Sequence, residues 1–370
     1  MKFFYFCLLV LVAGCATKKQ VSAFEYVMSH NDPNLKRVFS NPKKYEVQLL
    51  YTRVFVEPQK VRFNTDSYLV NYQNYFYPAS VVKLPISLLA LEKISRINEI
   101  DLNTKYQIKN DTVFQTIGKD ITEIFAVSDN DSYNRLFEFL GGQDSINARL
   151  KYLGIESQIN HRLSVPNSGN LNSKEIIFEN TIAFPSVQSL PIQQLTIDNL
   201  KKGTRYFKND TLVYEPMDFS FKNYYPIEAM QKTMRKIFYP NSIPKNQRFQ
   251  LSNENLEFLK KAMKKVPNEA GYFGEEYTDG YAKFFIYGDT KNKIPKHIEI
   301  YNKSGQAYGT LTDNAYIVDK KNNIAFFLTA TLLVNENETF NDDTYEYETV
   351  GIPFLAALGR AFYEYELKKK

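Results

Sequence analysis

The sequence predicts an α/β fold of the α+β kind, with one antiparallel sheet flanked by helices beside an all-helical subdomain. Three observations carry this. β-Branched and aromatic runs cluster near both ends of the chain, helical periodicity fills the middle, and the last segment turns helical again. Strands at both termini around a helical middle imply a single sheet assembled from both chain ends. No internal repeat is visible.

Taken in order, Asp32 to Val38 reads as a helix start. Tyr45 to Val56 and Val61 to Tyr72 read as strands on either side of the turn Glu57-Pro58-Gln59-Lys60. From Ser80 to Ile97, the residues Val81, Leu84, Leu88, Leu91 and Ile94 recur at helical spacing and predict a helix with a buried face. Pro85 should kink it slightly in its second turn. Helical patterns follow at Ile121 to Leu140, stopped by Gly141-Gly142, and at Asp144 to Leu153, stopped by Gly154. His161 to about Tyr225 is Asn- and Ser-rich without a sustained period, which predicts a long loop followed by an insertion, about 164–225. Helical pattern returns at Ile227 to Phe238 and Asn253 to Val266, so the helical subdomain covers about 80–270. His297 to Asn302, Asn314 to Val318 and Ile324 to Val334 are strand candidates, and Thr349 to Leu367 is a closing helix that tolerates Pro353 near its start.

The N-terminus has the layout of a secretory signal: one positive charge at Lys2, an apolar run, then small residues. It is too short to span a bilayer as a permanent helix, and no second apolar stretch reaches that length. Its end, Leu11-Val12-Ala13-Gly14-Cys15, resembles a bacterial lipobox, in which the cysteine becomes the lipidated first residue. The expected organisation is a signal at 1–14, a tether at 15–30 and one domain at 31–370, placed in the cell envelope facing the periplasm and held to the membrane by lipid alone. Cys7 would leave with the signal, so the domain has no thiol and no disulfide.

The remaining 356 residues carry 45 basic against 41 acidic side chains, a balance that argues against a nucleic-acid partner. They suffice for one large core or two intergrown subdomains, and a monomer is expected. The 3 histidines, His30, His161 and His297, are scattered and leave few ways to build a metal site, and no metal or cofactor is expected. A Ser-His-Asp triad has no motif behind it.

Chemistry is carried by three short motifs. In Ser80-Val81-Val82-Lys83 the two polar residues share a helix face, so the lysine amine can reach the serine hydroxyl and take its proton. Ser-x-x-Lys also occurs at Ser40 to Lys43 and Ser242 to Lys245, but only the Ser80 copy opens a helix, where the N-terminus adds electrostatic help. Ser128-Asp129-Asn130 and Lys303-Ser304-Gly305 each occur once, the first among helices and the second directly after a strand. Taken singly, the first reads better as an exposed Ser and Lys on an ordinary helix and the second as a polar turn or helix break, while the third also reads as a strand leading into a turn.

In this order the three resemble the motif set of the class A β-lactamases and penicillin-binding proteins. The resemblance covers most of the domain: Gly118 to Ile124 leading into Ser-Asp-Asn, Asn134 four residues after Asn130, Gly141-Gly142, and the closing strand, strand, helix order are similar as well. It implies a β-lactamase/transpeptidase-like fold with the site in a cleft between subdomains. It also implies acyl transfer from a β-lactam or a D-alanyl-D-alanine-like, peptidoglycan-type amide to Ser80, with Lys83 as base. Burial and the like charge of Lys303 should push the Lys83 amine down. By the same resemblance Ser128 relays the proton to the leaving nitrogen and Lys303 holds that relay and the substrate carboxylate. Asn130 holds the side-chain amide, Ser304 and Gly305 line the site, and the amides of Ser80 and Gln306 form the oxyanion hole.

Departures from the family bear on the second half of the reaction. Where class A enzymes place a deacylating glutamate in Glu-x-x-Leu-Asn, this chain reads Ser168-Gly169-Asn170-Leu171-Asn172. The Ser80 to Ser128 interval is shorter than the family's, and Thr310 to Asn314 lacks the arginine that assists carboxylate binding. Deacylation is therefore expected to lag acylation unless Glu175 or Glu179 folds back into the cleft. The alternative is a non-catalytic envelope lipoprotein that uses the cleft to hold peptidoglycan stems or a protein partner.

Overall fold

The computed structural model describes residues 21–58 and 60–369, so the signal and Cys15 lie outside the described residues. Five strands, β1 (Gln48–Val56), β2 (Val61–Tyr68), β3 (Ile298–Ala307), β4 (Thr310–Asp319) and β5 (Ile324–Leu333), form one antiparallel sheet in the order β3-β4-β5-β1-β2. The central pairing runs from Gln48 opposite Thr331 to Arg53 opposite Phe326, which joins the two ends of the chain as expected.

β3 is longer than the expected strand ending at Asn302. The chain reverses only at Tyr308 and Gly309, both at positive φ (52° and 71°), so Lys303-Ser304-Gly305 lies within the strand rather than in a turn after it.

One face of the sheet is covered by α1 (Ala23–Met28), α2 (Pro33–Phe39) and the closing helix α9 (Ile352–Lys368), around Phe24, Val38, Phe326, Leu328, Leu358 and Phe362. Residues 22–30 are therefore part of the domain and not tether. Ser22 and Glu25 close a capping box, and the Phe24 ring packs edge-on against Phe362 at 5.4 Å. The other face carries α7 (Ile227–Phe238) and, beyond it, the helical subdomain of α3 (Lys83–Ile94), α4 (Ile117–Ala126), α5 (Asn130–Phe139), α6 (Gln143–Tyr152) and α8 (Asn253–Lys264).

Every residue of α3 except Lys93 is buried, so this helix forms the axis of the subdomain instead of showing it one face. A 3-10 turn, Ala79–Val82, precedes it. Pro85 consequently falls in the first turn of the α-helix, where a missing N–H costs little, and not in the second turn as expected. The predicted helix Ile121 to Leu140 is two helices, α4 and α5, with Ser128 at the corner between them.

The region after His161 has more structure than a loop. Ile176–Phe178 and Ala183–Phe184 join Lys105–Ile108 and Gln115–Thr116 in a small four-stranded sheet, and Arg205–Lys208 pairs in parallel with Thr339–Phe340. A third core forms there, in which Phe219 touches Tyr75, Tyr77, Tyr308 and Phe340. The inserted segment thus braces the chain that leads into Ser80. Among the described residues no helix is long and apolar enough to cross a membrane.

Candidate active site

Ser80 stands at the start of the 3-10 turn, partly exposed, and no side chain caps that turn. Its first amides are therefore available to an incoming anion. Ala79, immediately before it, is held at φ 46°, a left-handed conformation that a non-glycine residue keeps only where its surroundings impose it. The imposing element is β3: a Cβ built on Gly305 would lie 2.7 Å from the Ser80 nitrogen and 3.0 Å from that of Val81. Only glycine lets the strand lie this close to the Ser80 turn.

β3 is an edge strand, so half of its backbone groups have no ladder partner. The two-residue turn makes Ala307 and Thr310 the hydrogen-bonded closing pair, and hydrogen-bonded pairs alternate along an antiparallel ladder. The N–H of Gln306 therefore points off the sheet edge, toward the cleft and the Ser80 turn.

Ser128 sits between Val127, which ends α4, and Asp129, whose carboxylate caps α5 by accepting from the Ser132 amide. Its φ of 58° turns both its carbonyl and its hydroxyl toward Lys83. The Lys83 ammonium donates to the Ser128 carbonyl at 2.5 Å, the Ser128 hydroxyl at 3.2 Å and Asn130 Oδ1 at 2.7 Å. From the opposite side Lys303 Nζ donates to the same hydroxyl at 2.9 Å and to the Ser304 carbonyl at 2.7 Å. One hydroxyl thus joins two buried lysines.

Burial pushes the Lys83 amine down to about 7, with Asp129 pulling weakly the other way. Lys303 is pushed well below its ordinary value, first by burial and then by the like charge of Lys83. Desolvation is thus the main cause for both, and the mutual repulsion expected at Lys83 is felt at Lys303. Beneath them lies a network that the sequence motifs do not announce. Asn302 donates to Asp313 at 2.7 Å and accepts from the buried Lys283 at 2.8 Å, and burial pushes the Asp313 carboxyl up to about 6. The only signal for it was an acidic residue within an otherwise uncharged, wholly buried stretch of β4.

Among the described residues no hydrogen bond reaches the Ser80 hydroxyl. The expected contact from Lys83 is replaced by contacts to Ser128 and Asn130, because a charged amine takes three acceptors and this corner supplies them. Such bonds commonly tighten only when substrate is present. Asn130 in turn donates to Ser164 Oγ at 2.9 Å, and Ser304 Oγ donates to the Ala282 carbonyl at 3.1 Å.

Two cavities of about 490 and 520 Å³ meet at Ser80, Asn130 and Gln306 and form one cleft. The first is walled by Tyr77, Tyr308, Tyr345 and Tyr347 and also contains His161 and Ser168. The second contains Ser128, Ser304 and Gly305. The predicted residues Ser80, Lys83, Ser128, Asn130, Lys303, Ser304, Gly305 and Gln306 are therefore together, whereas Cys15 lies outside the described residues. The other Ser-x-x-Lys copies are exposed and line neither cavity. Glu175 pairs with Lys109 at 2.9 Å and Glu179 accepts from the Lys105 amide at 3.1 Å, so neither folds back into the cleft.

Residues 34–190 match a family model described as the beta-lactamase enzyme family. Among solved structures, the fold is similar to a class A β-lactamase from Bacteroides cellulosilyticus at a TM-score of 0.53 and 15% identity, covering 91% of this chain and 98% of that one. It is similar also to the class A β-lactamase from Mycobacterium abscessus, at 0.53 and 14% over 89% and 98%, and to a β-lactamase from Burkholderia ambifaria, at 0.52 and 11% over 90% and 98%. No protein of curated function matches the sequence. At these identities the likeness to solved structures is one of fold.

Proposed function

We propose that this chain, similar in fold to a class A β-lactamase over 91% of its length and matching the β-lactamase family model over residues 34–190, is a serine hydrolase acylated at Ser80 by β-lactams or D-alanyl-D-alanine-like amides. The observation that carries this reading is the Ser128 hydroxyl held between Lys83 and Lys303, in the cleft that Ser80 also lines and where, among the described residues, no hydrogen bond reaches the Ser80 hydroxyl. Binding alone gives no reason to bury two lysines around one hydroxyl.

Neutral Lys83 takes the Ser80 proton as Oγ adds to the substrate carbonyl. With its amine near 7, a large neutral fraction exists at neutral pH. The oxyanion is received by the amides of Ser80 and Gln306, and one such donor is worth roughly 2.7–4 kcal/mol in the transition state. As the C–N bond breaks, the proton passes through Ser128 to the departing nitrogen while Lys303 steadies the relay. Asn130 and the free edge of β3 hold the substrate's amide. Export and lipidation at Cys15 belong to the same reading, resting on the sequence of residues 1–15.

Intact-mass measurement after mixing with benzylpenicillin, followed by peptide mapping, tests the assignment. The adduct is expected on Ser80 and is lost in Ser80→Ala with the fold retained. Labelling at Ser40, Ser128 or Ser242, or undiminished labelling of Ser80→Ala, overturns it. A cleft that binds penicillin reversibly without any adduct supports the non-catalytic alternative.

A further inference from the structure

We infer that His161 and Ser168 form the general-base pair that releases the acyl group from Ser80, an inference that rests on acylation at that serine. An ester there is hydrolysed efficiently only if some group takes a proton from the attacking water. A serine hydroxyl is no base by itself. Ser168 Oγ, however, lies 3.1 Å from His161 Nδ1, while His161 Nε2 lies 2.7 Å from the Phe221 carbonyl.

A carbonyl only accepts, so Nε2 carries the ring hydrogen and Nδ1 is left to accept from the Ser168 hydroxyl. This is a hydroxyl backed by a base that a third group orients, the general form of an activated serine. Both residues and Ser80 line the same cavity. The ring's place is kept by Gly169, where a Cβ would stand 2.8 Å from His161 Cε1. Burial, with help from Lys222 and Arg162, holds the imidazole below its ordinary value, which favours the neutral form.

In the step, the water oxygen bonds to the ester carbon, its proton moves to Ser168 Oγ, and the Ser168 proton moves to Nδ1. As the bond to Ser80 Oγ breaks, the same proton returns through Ser168 to Ser80, leaving a free acid and the resting enzyme. The charged groups that bear on this pair are Lys222, Arg162, which is bound to Glu138, and Asp343, which lines the same cavity.

The test follows the mass of the benzylpenicillin adduct over time in the wild type, Ser168→Ala, His161→Gln and Asp343→Asn. In the first two variants the adduct should persist at least tenfold longer than in the wild type. Wild-type decay should slow as pH falls through the imidazole titration, and that limb should vanish in Ser168→Ala. Ser168→Ala keeps the Phe221 contact, so it reports even if His161→Gln misfolds. An adduct with unchanged lifetime in Ser168→Ala, or one prolonged only in Asp343→Asn, overturns the pair. Absence of any adduct in both the wild type and Ser168→Ala, with the penicillin left unhydrolysed, overturns the acylation reading itself, and this inference with it.

Discussion

If Lys83 is the acylation base, the rate at which penicillin captures Ser80 must follow the neutral fraction of that amine. With the amine near 7, about one eleventh is neutral at pH 6 and about ten elevenths at pH 8, so the second-order acylation rate should rise about tenfold between them. Single-turnover mixing with benzylpenicillin, quenched and read by intact mass, isolates acylation from release and so from any titration of His161. Because Lys303 donates to the same Ser128 hydroxyl, the inflection belongs to the lysine pair. A flat profile from pH 6 to 8, or an inflection above 9, would mean that Lys83 stays charged through the neutral range and that another group takes the proton.

The same burial has a stability signature. The unfolded chain binds the Lys83 proton up to about pH 10.5 whereas the folded chain releases it near 7, so stability rises with pH across that window. The full penalty is present below 7. A shift of this size corresponds to about 5 kcal/mol. Lys283, pushed down to about 8 by burial, acts in the same direction. Melting temperature should therefore climb between pH 7 and 9, and Lys83→Met should shrink that climb.

Other expectations follow from packing and from the N-terminal sequence. Glu138 accepts from Arg162 at 2.5 and 2.9 Å and from the Lys174 amide at 2.8 Å, which ties down the segment carrying Ser164 and Ser168. Glu138→Ala leaves a buried guanidinium unpaired and should cost about 3–5 kcal/mol in urea unfolding; a loss below 1 kcal/mol, on the order of a surface pair, would contradict that role. Gly305→Ala must push β3 off the Ser80 turn, with an expected loss of about 1–3 kcal/mol and acylation slowed roughly 10- to 100-fold; acylation at the wild-type rate would show that this close approach is dispensable. Cys15→Ser should release the protein from membranes, and unchanged partitioning in a fractionation assay would rule out the lipid anchor.

How legible the molecule is from its sequence depends on the length scale of each signal. β5 and α7 repeat their pattern over ten or more residues and were readable almost to their ends. The eight cleft residues were readable because the motif order carries them. Ser128 could not be read as a helix corner, since Ile121 to Leu140 keeps its apolar period through the break and only a backbone dihedral reveals it. The strands between Lys201 and Val213 are two to four residues long, too short for a period-two pattern to rise above noise. His161 was noticed only as one of three scattered histidines. Its hydrogen bonds to Ser168 and Phe221 depend on how a loop folds back, which no spacing encodes.

The pairing of β1 with β5 sets a schedule for the chain. Gln48 finds its partner only when Thr331 exists, and the Ser128 hydroxyl meets Lys303 only when β3 is laid down. Contacts so distant in sequence make folding slow and expose unpaired apolar strands while synthesis continues. A chain with this topology does not complete its central sheet on the ribosome until nearly all of it has emerged. The Ser80 turn, lacking both the edge strand and Lys303, has no complete cleft around it until the last strands arrive.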